Sequence, residues 1–384
     1  MFHTLFTQSI AVLRSNLVAN EPGRIVGPIA TIFGYIIDII FSIVHTITLN
    51  HSLGISIIIL TIIVRFLMLP MGIKQQQSML KMQKLNPELK KIKAKYGNSK
   101  DPEIVKKMNT EQQALYAKNK VNPLSGCLPL LITMPLFLGL IPVMRESYRY
   151  VTPLRDTYSE ISSSIMQITD GGRDQLFYTN YFAPLADVVI PDRMKNDGTL
   201  SMDNEDDMSR VISKFNNDDW HVFLYESPVN FPQDEYPLAA SPIIQSRTRD
   251  QLPPINTMPQ YAAIRENLDK KNAIEHFIGL PLNYSTGWRL PSIIIPILVG
   301  ITTFSSSWVS SKMSANADEK QKSQQKIMMY VMPALMTFMT VNLPGGVGIY
   351  WTASSMFQTG QQIFLNRRSG IPLFKPKDDI IDVK

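Results

Sequence analysis

A chain of 384 residues with 38 Lys and Arg, 32 Asp and Glu and a net charge of +6 can hold two or three soluble domains, or one membrane domain with an insertion. Its single cysteine, Cys127, excludes an intramolecular disulfide. The mean hydropathy of -0.02 averages two populations. Apolar runs lie near 25–72, 124–144, 290–309 and 327–365, whereas 147–286 is polar and acidic, so the basic pI reflects membrane topology rather than one nucleic-acid-binding face.

Residues 1–24 lack the basic start and long apolar core of a signal peptide. In 25–49, apolar residues recur at Ile29, Phe33, Ile36, Ile40, Ile43 and Ile47, with Asp38, Ser42 and His45 on or beside the other face. The spacing predicts an amphipathic helix at the outer membrane interface, with a full span as the competing reading.

The first span is expected over 50–73. Its core, Gly54–Pro70, is a run of apolar residues with one charged residue, Arg65, set inside it. An ionisable residue inside a span is a functional-site hypothesis by default, and snorkelling to the interface is the alternative. The basic segment that follows makes the span run from outside to inside. Helical side chains lean toward their own N-terminus, so Arg65 leans deeper into the bilayer.

Residues 74–122 form that basic segment, and 74–120 carries twelve lysines against four carboxylates. It reads as a cytoplasmic helical hairpin. Met82, Leu85, Leu89, Ile92 and Tyr96 make a narrow seam, Asn86-Pro87-Glu88 predicts a helix restart, and Asp101-Pro102-Glu103 predicts a cap for the second helix. The hairpin either fixes topology alone or also binds ribosomal RNA, anionic lipid or nascent chain.

The second span is expected over 123–146, kinked at Pro129, Pro135 and Pro142. The stretch 147–286 carries twelve Lys and Arg against twenty Asp and Glu and reads as an extracytoplasmic insertion. Helices are expected at Met208–Tyr225 and Pro259–Phe277. Asn283-Tyr284-Ser285 is a weak glycosylation sequon. His221 and His276 read as surface residues, and no metal or cofactor site is expected. The third span is 287–310, with Thr302, Ser306 and Ser310 on one face. A cytoplasmic loop (311–326), a short fourth span (327–343), a fifth span (344–366) and a cytoplasmic tail (367–384) complete the chain. In the fifth span Tyr350, Ser354, Gln358 and Gln361 form a polar stripe beside Trp351, Ser355 and Gln362. Such a stripe serves interhelical hydrogen bonds or a second wall for the surroundings of Arg65.

Three separate stretches now carry a resemblance. ISIIILTIIVRFLMLP with KQQQSMLKMQKLNPELKKIKAKYG, then VNPLSGCLPLLITMPLF, then PGGVGIYWTASSMFQ are similar to the YidC/Oxa/Alb membrane protein insertases, in particular their Gram-positive, clostridial-type members. The resemblance implies an all-α polytopic membrane protein with a five-span core, a cytoplasmic hairpin and a large extracytoplasmic insertion. It implies an N-terminus outside, a C-terminus in the cytoplasm, and a hydrophilic groove holding Arg65. Thr61, Thr133, Thr302, Ser306, Tyr350, Trp351, Ser354 and Gln358 are expected to line that groove. Thr133 stands where relatives often carry glutamine, and 147–286 is far longer than in minimal relatives. The implied function is insertion and folding of membrane proteins, with nascent chains, the lipid bilayer, the ribosome and the Sec translocon as partners. Neither a nucleotide nor covalent chemistry is implied. A small-solute or ion transporter is the alternative; it would show inverted repeats and intramembrane carboxylates.

Overall fold

Long apolar runs with few breakers favour helices, and the regular structure of the described residues is helical apart from one two-stranded hairpin and one isolated bridge. A computed structural model describes residues 26–97, 101–119, 121, 128–168, 181–189, 204–235, 253–288, 290–312 and 326–368. They fall into two compact units, 1–56 with 142–284 and 57–141 with 285–384.

In the first unit, α1 (Val26–Ile47) turns the face containing Ala30, Ile37, Asp38, Phe41 and Val44 inward. The Asp38 carboxylate accepts hydrogen bonds from the Thr152 backbone N–H at 2.7 Å and the Thr152 hydroxyl at 3.1 Å. Ile32, Ile39, Ile43 and Ile47 stay exposed. The polar residue of the predicted amphipathic helix therefore marks its protein-facing side, and isoleucines cover the other.

Helix α2 (Ser52–Tyr96) is a single helix of 45 residues that begins in the first unit and continues into the second. The expected restart at Pro87 does not occur. Proline removes one helical N–H and costs about 3 kcal/mol in a helix interior. Here Leu85 and Leu89 on either side of it are buried against Val121, with Met82, Leu115 and Tyr116 beside them, and this seam holds the helix through the proline. The returning helix α3 (Pro102–Lys118) starts as predicted: Asp101 accepts from the Glu103 N–H at 2.9 Å and Pro102 stands at the first position. Helix α4 (Leu128–Arg145) follows.

The acidic stretch folds as short helices. α5 (Ser147–Tyr150) and α6 (Thr152–Ile168) lead to α7 (Ala183–Val189), α8 (Glu205–Ile212), α9 (Asn217–Tyr225) and α10 (Tyr261–Glu275). The helix expected over Met208–Tyr225 is thus two helices. Asn216 breaks it: its side chain accepts from the N–H groups of Asp218 and Asp219, and the Asp219 carboxylate accepts from the Asn216 N–H at 2.9 Å, a closed capping box. The helix expected to run to Phe277 ends at Glu275 and passes into the antiparallel strands β1 (His276–Phe277) and β2 (Leu280–Pro281). Phe182, Phe215, Trp220 and Phe223 form a buried aromatic cluster, Phe215 and Trp220 lying edge to face at 5.2 Å.

At the centre of this unit lies an ion pair one helical turn apart, Lys271 Nζ to Glu275 at 3.2 Å, with side chains 1% and 0% exposed. The carboxylate also accepts from Ser147 Oγ at 3.3 Å, Tyr158 Oη at 3.2 Å and Asn283 Nδ2 at 2.9 Å. Burial, then the Glu275 charge, push the Tyr158 hydroxyl well above the usual tyrosine range. Asn283 is buried and bonded here, so the sequon's asparagine is not presented for modification. His276 is half-buried, its Nδ1 3.0 Å from the Asn272 carbonyl, and is not the surface residue expected. His221 does lie exposed, beside the Tyr225 ring.

A second pair closes the end of α4. Lys214 Nζ lies 2.7 Å and Arg149 Nη1 2.8 Å from the Glu146 carboxylate. Glu146→Gln should destabilise this end of α4, because it leaves the half-buried Lys214 and Arg149 charges without their counter-charge. Chemical denaturation of both proteins at neutral pH checks this, and equal stability would contradict it.

In the second unit, α11 (Ile294–Lys312) packs on α12 (Met332–Val341) and α13 (Gly345–Arg368). Residues 290–293 form a turn, so α11 begins later than the expected span. A wide turn, Ile327–Val331, precedes α12, and Asn342–Pro344 joins α12 to α13. By length and apolarity, Gly27–Ile47, Ser52–Ser78 and Ile294–Ser311 can each cross a membrane, and Met329–Val341 is a shorter apolar helix. Leu67, Ile301 and Phe338 are exposed on these helices, an arrangement suited to lipid rather than water.

Candidate functional site

The polar residues of α2 and α13 meet at Arg65. Its Nε donates to Ser354 Oγ at 2.8 Å, and its Nη2 reaches the same hydroxyl. Tyr350, one turn earlier on α13, lies beside both. Ser354 is 1% and Tyr350 6% exposed, while Arg65 is half-buried. Among the described residues no carboxylate pairs with Arg65. A guanidinium has five N–H donors, and one hydroxyl engages only two of them. The charge therefore stays available to an acidic group that comes within reach.

The other expected residues divide. Trp351 stands against Phe137 of α4, with ring centroids 4.7 Å apart, and Gln358 is half-buried on α13. Thr61 is fully buried one turn before Arg65, and its hydroxyl donates to the Ile57 carbonyl at 2.7 Å. Thr302 donates to the Leu298 carbonyl at 2.8 Å in the same way, and Ser306 is buried on α11. The hydroxyls of Thr61 and Thr302 are thus turned onto their own helices. The side chain of Thr133 lies outside the described residues.

Two contacts escaped the sequence reading. Phe66 and Phe357 meet edge to face at 5.3 Å beside the Arg65–Ser354 contact. Farther along, Gln76 Nε2 donates to Asn366 Oδ1 at 2.8 Å, both residues being buried. Gln76 follows Arg65 by about three helical turns and so shares its face, the periodicity that could have found it.

Apolar helices joined by an arginine–serine contact, with a basic segment continuing from one of them, define a membrane-integral helical protein with a polar contact between its helices. The sequence model of the 60Kd inner membrane protein family matches residues 43–189 and 252–371, more than half of the chain. The chain belongs to this family. It is 27% identical over 334 residues to the membrane protein insertase YidC of Enterococcus faecalis, covering 86% of this chain and 73% of that protein. It is 36% identical over 161 residues to the YidC insertase of Fusobacterium nucleatum, covering 37% and 75%. It is 48% identical over 90 residues to the membrane protein insertase MisCA of Bacillus subtilis, covering 23% and 34%. The family match passes over 190–251, the stretch that contains α8 and α9.

Proposed function

We propose that this protein inserts and folds newly made membrane proteins, guiding their hydrophilic tails along a polar groove that contains Arg65. The observation that carries the reading is the half-buried Arg65, held by a serine hydroxyl and not by a carboxylate of the described residues. A cation in poorly solvating surroundings attracts an acidic tail far more strongly than it would in water. A groove partway through the bilayer shortens the apolar distance that such a tail crosses. The hydrophobic segment then leaves sideways into lipid, where burial of its apolar surface favours exit. Tyr350, Ser354, Gln358 and Trp351 form one wall in this reading, and Thr133, Thr302 and Ser306 belong to the facing helices.

In the same reading the core has five spans, the N-terminus is outside and the C-terminus cytoplasmic, and 147–286 lies outside. The basic hairpin then faces the ribosome, and the Sec translocon is a further partner. The transporter alternative has little support. Asp38 is the only carboxylate within the described apolar spans, and Thr152 engages it.

Purified protein in liposomes should protect the tail of a single-span substrate from protease, beyond protein-free liposomes. In a Cys127→Ser background, Lys93→Cys and Asp206→Cys should label from opposite faces of the same vesicles. Equal protection with and without protein overturns the insertase reading, and labelling from one face overturns the topology.

A further inference from the structure

The turn between β1 and β2 has a residue the fold does not explain. Ile278 and Gly279 are its two central residues, with φ of 53° and 75°. Such a two-residue turn needs positive φ at both positions and favours Asn-Gly or Gly-Gly. Gly279 meets that need. A β-branched residue at positive φ is a conformational outlier with a steric penalty. Ile278 gains no compensating burial within the chain, since it is 73% exposed. An apolar, strained side chain at the tip of a hairpin thus points to something outside the chain.

The hairpin's position says what that is. Strand β1 is fastened to the residue that precedes α2. His51 Nδ1 lies 2.9 Å from the His276 carbonyl and 3.3 Å from the Ile278 N–H, and the His51 N–H donates to the Ala273 carbonyl at 2.8 Å. The His51 ring meets Phe277 edge to face at 5.9 Å. Phe277 lies so close over Gly54 that any side chain there would strike its ring. Gly54 lies inside the apolar window Ser52–Ser78, two residues or about 3 Å along the helix axis from its start. The turn therefore stands level with the first turn of a membrane-crossing helix, where headgroups meet acyl chains.

We propose that the β1–β2 turn seats Ile278 in the lipid interface beside the start of α2. The partner is the bilayer itself, and its apolar boundary supplies the burial that the fold withholds. The exposed Ile47 and Leu49, just before His51, extend the apolar character of the same edge. The proposal needs α2 to cross a membrane, but it does not depend on the groove around Arg65.

The test is a nitroxide on Ile278→Cys in the Cys127→Ser background, with the protein in phosphatidylcholine–phosphatidylglycerol nanodiscs that leave both faces open. Asp206→Cys, an exposed residue of α8, is the aqueous reference. At position 278 relaxation by oxygen should exceed relaxation by a water-soluble nickel chelate several-fold, and at 206 the order should reverse. A nickel-dominated label at 278 would place the turn in water and overturn the proposal. Low accessibility to both agents would mean that protein covers the turn, and would overturn it equally. Should the labelled protein not fold, Ile278→Trp with headgroup-proximal brominated lipids decides the matter. Quenching of the added emission supports lipid contact, and unquenched emission refutes it.

Discussion

Glu275→Leu should destabilise the first unit by about 3–5 kcal/mol, the usual effect of breaking a buried ion pair from one side. The substitution leaves Lys271, 1% exposed, with an uncompensated charge. It also removes the acceptor for Ser147, Tyr158 and Asn283. The double variant Lys271→Met with Glu275→Leu should recover most of the loss, because the desolvated charge disappears with its partner. Thermal melting of the purified protein, read alongside limited proteolysis of 147–286, checks both outcomes. A single variant that loses less than about 1 kcal/mol would show that water reaches Lys271 and that the pair is not buried in solution.

Arg65→Ala should lower insertion of substrates with acidic tails by roughly fivefold to 150-fold, the equivalent of about 1–3 kcal/mol for one charge-assisted contact. Substrates with neutral tails should insert almost as before. Arg65→Lys should keep much of the activity, since the proposed role is a positive charge near a moving chain. A fixed bidentate contact would instead require the planar fork that lysine lacks. The bond to Ser354 is compatible with the charge role, because a lysine ammonium can also donate to one hydroxyl. The measurement is insertion of one substrate whose tail acids are neutralised one at a time, against wild type and both variants. An equal loss for every tail in a folded Arg65→Ala protein would make the arginine a structural tie to Ser354.

The helices of the apolar runs were legible because period and length carry their own signal. Arg65 and Ser354 could be singled out separately because polar residues inside apolar runs stand out, and the structure joins them directly. What was not legible depends on distant residues. Nothing in the local sequence sets Lys271 and Glu275 apart from a solvated pair one turn apart, and residues distant in the chain, Ser147, Tyr158 and Trp220 among them, make their site a buried one. Pro87 carries a true break signal, which loses to the seam of Leu85 and Leu89 against Val121. The break at Asn216 was present in the sequence as Asn-Asn-Asp-Asp, but the apolar residues on either side of it suggested one continuous helix. For α1 the period predicted a helix, and only the structure shows that its Asp38 side faces the protein.

The continuity of α2 has a mechanical consequence. From Arg65 to Tyr96 it is one rod, about 46 Å long at ~1.5 Å per residue, with no loop along it to absorb a load. A sideways force at the tip of the basic hairpin acts on a lever arm of that length and reaches the neighbourhood of the arginine as torque. Pro70 and Pro87 each remove a helical hydrogen bond from this rod, but Pro87 is braced by Leu85 and Leu89 against Val121, so the less braced weak point is Pro70, whose missing bond is to the Phe66 carbonyl next to Arg65. Force applied at the hairpin is therefore converted into bending beside the charged side chain.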